Sequence, residues 1–185
     1  LQLGATGTVT EVYPDGRFVA FGHPFLGAGE LELPVSPAEV VTVVPTLFQS
    51  FKLANGGEPR YRLTNDRDSG VGGRTDRTAA TIPVKVVVEG EGRPAREFSF
   101  QAASHPKLLP ILSGLVADAS MTAADPTPRC RLLSFRITLD TAQGEISYED
   151  VATGPRAKEA AVLSTVALAA AVADNDLGDP GIRGV

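Results

Sequence analysis

The sequence predicts a mainly β protein with two helices, and three observations carry that prediction. Turn signals recur at short intervals through the first half: Pro14-Asp15-Gly16, Asn55-Gly56-Gly57 and Gly90-Glu91-Gly92. Between them, β-branched and aromatic residues alternate with polar ones, most clearly at Ile82, Val84, Val86 and Val88. After Ala103 the period changes, and Leu108, Leu109, Ile111, Leu112, Leu115, Val116 and Ala119 recur at helical spacing.

Taken in order, residues 5–13 read as a strand rich in Thr, Val and Tyr. Pro14-Asp15-Gly16 turns it, because Pro presets its backbone angle and Gly tolerates positive φ. Residues 17–22 return as a second strand and run into Gly22-His23-Pro24. A short segment follows at 30–33. Ser36 is expected to cap a helical turn through Pro37, Ala38 and Glu39. Strands are expected at 40–44, 47–53 and 58–64, with Asn55-Gly56-Gly57 as a turn. The polar, Gly-rich stretch 65–77 reads as a loop or a weak, bulged strand. Strands at 78–89 and 96–102 complete a β region that suits a barrel or a sandwich.

The first helix is expected over 107–124, with Pro110 in its first turn and Asp125-Pro126-Thr127-Pro128 closing it. A hairpin follows over 129–140 and 144–151, then a second, Ala-rich helix over 155–173. The tail 175–185 reads as an exit into further sequence, and no internal repeat is evident. The joint between regions 1–104 and 105–185 falls best at residues 103–106.

Composition narrows the function classes. The 185 residues are 43% hydrophobic and 21% charged, which suits one globular domain or a little more. The net charge of −5 gives no bulk attraction to nucleic acid or to an anionic membrane. The one basic cluster, from Arg60 to Arg77, has Asp66, Asp68 and Asp76 interleaved and Glu58 beside it, so no nucleic-acid partner is expected. Cys130 is the single cysteine; it forbids an internal disulfide and reads as a small apolar strand residue. Two unrelated histidines among scattered acids predict no metal, and no cofactor motif is present. No apolar run reaches membrane-spanning length. The abrupt Leu-Gln-Leu start, without Met, suggests part of a longer polypeptide.

His23 is the best candidate for a chemical group, because imidazole exchanges a proton near neutral pH and Gly22 and Pro24 fix its place. Its plainer role is a strand-end histidine bonded to backbone groups. Asp68-Ser69-Gly70 resembles part of the Gly-Asp-Ser-Gly-Gly-Pro loop of chymotrypsin-like proteases, which makes Ser69 a candidate nucleophile and Asp66 a candidate acid. However, Arg67 and Val71-Gly72 replace the flanking residues of that motif, and a turn serine is the simpler account of Ser69. Ser50 and Lys52 would share a strand face as a possible dyad or as surface residues. Gly70–Gly73 lacks the Gly-Lys-Ser/Thr ending of a phosphate loop, and His105 falls in a linker.

Ala5-Thr6-Gly7-Thr8-Val9-Thr10, Asp15-Gly16-Arg17 and Phe18-Val19-Ala20-Phe21-Gly22-His23 form a pattern. Residues 4–104 thereby resemble the peptidase domain of the SpoIVB (stage IV sporulation protein B) serine peptidase family. Ala20–Leu26, Ser50–Ala54 and Asp66-Arg67 are similar to segments of the larger bacterial proteins that carry this domain. The resemblance implies a serine-peptidase-like β-barrel with His23 as catalytic base, to which the residue pattern adds a C-terminal helix-hairpin-helix portion. It also implies a bacterial envelope or secreted setting and a protein or peptide partner. The family's Ser-Gly-Ser-Pro nucleophile motif is absent from this chain, so an isolated chain is expected to lack peptidase activity. The rival expectation is a non-catalytic binding or scaffold module of a bacterial envelope protein.

Overall fold

The computed structural model describes residues 4–47, 50–125, 132–175 and 180–185. It is mainly β with two helices, and the chain divides into two compact units, Leu1–Ala80 and Thr81–Val185.

Unit 1 contains seven strands among its described residues: β1 (Val9–Val12), β2 (Arg17–Ala20), β3 (Gly29–Val35), β4 (Ala38–Val44), β5 (Phe51–Gly56), β6 (Tyr61–Arg67) and β7 (Gly70–Arg74). Five make an antiparallel sheet in the order β1-β2-β7-β6-β3, and β4 pairs only with β5. The expected closed barrel is therefore not formed among the described residues. β1 and β3 remain the two ends of an open sheet, and β4–β5 stands as a separate hairpin.

Local chemistry explains the turns. Tyr13 N–H donates to the Arg17 carbonyl across Pro14-Asp15-Gly16 at 2.8 Å. Ser36 and Pro37 link β3 to β4 without a helical turn, because β pairing continues on both sides of them. Asn55 and Gly56 belong to β5, paired with Glu39 and Ala38, rather than to a turn. The stretch 65–77 forms the end of β6 and all of β7, with a tight turn at 68–69.

One face of the five-stranded sheet is buried by Phe18, Ala20, Leu33, Leu63 and Val71. β2 and β7 bury every second residue, as strands must. β6 departs from that rule by burying Leu63 and Asp66, three residues apart. Its register against β7 shifts between Leu63 and Asn65. This bulge inserts Thr64, turns Asn65 to the outer face and brings Asp66 to the inner one.

Unit 2 runs β8 (Thr81–Gly90), β9 (Arg93–Ala103), α1 (Leu109–Ala124), β10 (Leu132–Thr141), β11 (Gly144–Thr153) and α2 (Ala157–Ala173). Ile82, Val84, Ala102, Leu109 and Val116 form a buried cluster between the first hairpin and α1. That packing ties β8–β9 to the second unit, so the division falls at Ala80/Thr81 rather than at the expected joint near 104. Each helix packs on the hairpin that precedes it, and α1 packs on α2. Unit 2 is thus a β-hairpin-helix motif used twice, which no sequence similarity between its halves reveals. α2 buries Ala157, Ala161, Thr165 and Ala169, a stripe of small side chains at four-residue spacing. Gly114 on α1 meets Val166 so closely that an added Cβ would lie 2.4 Å from Val166 Cγ2.

The tail does not simply exit. Val185 exchanges backbone hydrogen bonds with Pro83 and Lys85 of β8, at 3.1 and 2.8 Å. Gly184 accepts from Asp140 N–H at 3.0 Å, and Arg183 N–H donates to the Asp140 carbonyl at 2.7 Å. The last residues therefore bridge the edges of β8 and β10. Cys130 lies outside the described residues.

Candidate functional site

The candidate site is the end of β2 and the loop that follows it. Phe21 and Gly22 both have positive φ, 74° and 72°. A left-handed backbone is unusual for a bulky residue and is held only where the surroundings demand it. Two contacts hold Phe21. Its N–H donates to the Thr8 carbonyl at 3.0 Å. Its ring fills the space a side chain at Gly7 would need: a Cβ there would lie 1.6 Å from Phe21 Cε1. The Phe21 ring in turn lies edge-on to Phe25 at 6.0 Å between centroids and tilted against His23 at 5.6 Å.

Asp66 anchors the rest of the loop. It is 1% exposed, and its carboxylate accepts the backbone N–H groups of Phe25 at 2.7 Å, Leu26 at 2.5 Å and Ala28 at 3.4 Å. Burial alone would raise its pKa. The N–H groups of Phe25, Leu26, Ala28 and Gly27 outweigh that and hold it below the ordinary carboxylate value. The candidate acid thus organises the loop backbone, and among the described residues no hydrogen bond joins it to His23.

His23 is exposed, and its Nδ1 lies 2.8 Å from the carbonyl oxygen of Pro24. A carbonyl can only accept, so Nδ1 carries the hydrogen and the neutral ring presents its lone pair at Nε2. His105 has the opposite arrangement. Its Nδ1 accepts from Lys107 N–H at 3.3 Å, and its carbonyl accepts from Leu108 and Leu109 at the start of α1. Burial, then the Lys107 charge, lowers the His105 pKa. His105 therefore begins a helix, whereas His23 offers a free basic nitrogen.

Ser69 lies exposed in the β6–β7 turn, at the same end of the sheet as His23, since Ala20 pairs with Val71. No hydrogen bond joins Ser69 to His23 among the described residues. Lys52 Nζ donates to Thr8 Oγ1 at 2.7 Å, so the ammonium is directed at the residue before β1 rather than at Ser50. Gly70–Arg74 is strand β7 and not a phosphate loop.

Sequence reasoning missed Asp66 as an anchor. The one available signal was the polar run Thr64-Asn65-Asp66, which breaks the alternation of β6 and marks its bulge. It also missed an ionic network on the outer face. Arg62 bonds Asp76 at 3.0 and 2.9 Å and also Glu32; Arg77 bonds Glu32 at 2.7 Å. The Arg62 bonds, opposed by partial burial, pull Asp76 well below the ordinary carboxylate range. Among the described residues no group of three potential metal ligands converges, and no helix is long and apolar enough to cross a membrane. No family model matches this chain, and no curated protein or solved structure matches it either.

Proposed function

We propose that the His23 loop is the general-base half of a serine-peptidase-like site of the SpoIVB type, with a nucleophile supplied from outside this chain. The observation that carries the proposal is the Nδ1–H bond to Pro24, which leaves the lone pair on Nε2 of an exposed ring. In such a site Nε2 takes the proton of an incoming serine hydroxyl as its oxygen attacks a peptide carbonyl. The imidazolium then returns that proton to the leaving amine. The Pro24 carbonyl holds the ring in the required tautomer, a task a carboxylate performs in the complete triad. The strained Phe21-Gly22 turn and the Asp66-bound backbone keep the ring's base rigid, as a base serving an incoming group needs.

A second reading has its own support. Val40, Val41, Val43, Phe51 and Leu53 on β4 and β5 are each about half exposed. A hairpin that leaves this much apolar surface in water suits a non-catalytic module that binds a protein or peptide in a bacterial envelope protein.

A fluorophosphonate probe separates the two. The 185-residue chain is expected not to label, whereas the full open reading frame that encodes it labels at a serine, with the rate falling at least a hundredfold in His23→Ala. Labelling of the full product that is indifferent to His23→Ala leaves the binding module. Labelling of the chain itself at Ser69 would refute a nucleophile from outside.

A further inference from the structure

The outer face of the unit 1 sheet carries a row of arginines, unconnected with the proton chemistry of His23. Arg17 stands directly opposite Arg74, and Arg74 directly opposite Arg62, so three guanidiniums occupy one row across β2, β7 and β6. Like charges at paired positions disfavour a sheet unless something negative lies among them. Arg62 is satisfied, because its Nε and both Nη atoms reach Asp76 and Glu32.

Arg17 and Arg74 are not satisfied in this way. Arg17 uses Nε alone, on Asp15 at 2.7 Å, and Arg74 uses Nε alone, on Asp76 at 3.2 Å. Among the described residues the Nη atoms of both have no partner. The ion pairs fall into two groups, Arg17 with Asp15, and Arg62, Arg74 and Arg77 with Glu32 and Asp76. The second group, to which Arg74 belongs, sets three arginines against two carboxylates.

Those two side chains border an open trough of about 510 Å³, of the size that small ligands occupy. Its floor is Gly72. A Cβ there would meet only ordinary contacts, 3.7 Å from Asn65 Cβ and 3.9 Å from the Phe18 carbonyl, so the missing side chain leaves room above the sheet rather than below it. Asn65, opposite Gly72 because of the β6 bulge, accepts at its Oδ1 from Arg67 Nε at 3.2 Å and keeps its amide N–H groups available. The Tyr13 ring supports the Arg17 guanidinium at 5.4 Å.

We propose that this trough binds a carboxylate-bearing ligand, its carboxylate held between the free Nη groups of Arg17 and Arg74 with the Asn65 amide beside it. Planar guanidiniums match a carboxylate through paired N–H donors, and the glycine floor admits the ligand's body.

Glutarate is a suitable probe, added to the 185-residue chain at constant ionic strength while the Arg side-chain and Asn65 amide NMR signals are followed. Saturable shifts at Arg17, Arg74 and Asn65 are expected, with affinity at least tenfold weaker in Arg74→Gln. Gly72→Val keeps every charge and fills the trough, and it is expected to weaken binding by at least as much. Shifts that do not saturate, that chloride reproduces, or that survive Gly72→Val would overturn the proposal. Tighter binding of inorganic phosphate than of glutarate would overturn the choice of carboxylate.

Discussion

Unit 1 folds its sheet over a carboxylate, whereas unit 2 folds two hairpins and two helices over aliphatic side chains and small residues. Among the described residues, the buried polar groups of unit 2 are hydroxyls of Ser113, Ser120, Thr141 and Thr165, and two of these return a hydrogen bond to their own helix. The buried polar group of unit 1 is an ionised Asp66 that gathers the N–H groups of a loop three strands away in sequence from it. A buried charge with several donors specifies one loop conformation, and here that loop is the one bearing His23.

The largest test of this contrast is Asp66→Ala. It removes the shared acceptor of several part-buried loop N–H groups, and unit 1 is expected to lose roughly 3 kcal/mol. Hydrogen exchange of the β2, β6 and β7 amides in urea measures it; a loss below about 1 kcal/mol would show that the loop does not depend on the charge. Asp66→Asn keeps one acceptor and is expected to lose about half as much.

Next comes Gly114→Val in unit 2. With Val166 already in the way of a Cβ, the helices must separate, at about 1–3 kcal/mol read from exchange of the α1 and α2 amides. If this cost exceeds that of Asp66→Ala, the ranking of charge over packing fails.

Acid should distinguish the units without any substitution. A carboxyl whose folded pKa is depressed contributes its full stability above the unfolded value, near 4, and loses it as the pH falls from there toward the folded value. Asp66 has that sign, so unit 1 amides are expected to lose protection below about pH 4. The buried residues of unit 2 include no carboxyl among those described, so equal acid loss in its β8 and α1 amides would blunt the comparison.

The smallest effect is expected from His23→Ala, because the ring is exposed: a stability change within about 0.5 kcal/mol. Its reaction with diethyl pyrocarbonate sharpens the tautomer argument. His23 should modify faster than His105 at pH 7; the reverse order would remove the free Nε2.

Much of the fold was legible where the pattern is local. Alternation at Ile82–Val88 marks β8, and helical spacing from Leu108 to Ala119 marks α1, with ends shifted by up to three residues. β7 was not legible, because Gly70, Gly72 and Gly73 carry no pattern and the strand exists through its neighbours. An added Cβ at Gly73 would lie 2.2 Å from the Phe18 ring, so the gap it fills is defined by another strand. The repeat in unit 2 was hidden for a similar reason: hairpins and helices of equal order need no equal residues. At the site, His23 could be singled out from its Gly and Pro neighbours. The work of Asp66 could not, since a one-residue bulge decides which face it occupies.

The bridge made by the last residues also bears on the order of folding. Val185 pairs with Pro83 and Lys85, about a hundred residues earlier, so this contact has the longest loop to close in unit 2. Until Val185 has been synthesised, the facing edges of β8 and β10 lack that pairing. During translation those edges stay open to a stray strand until residues 183–185 close them.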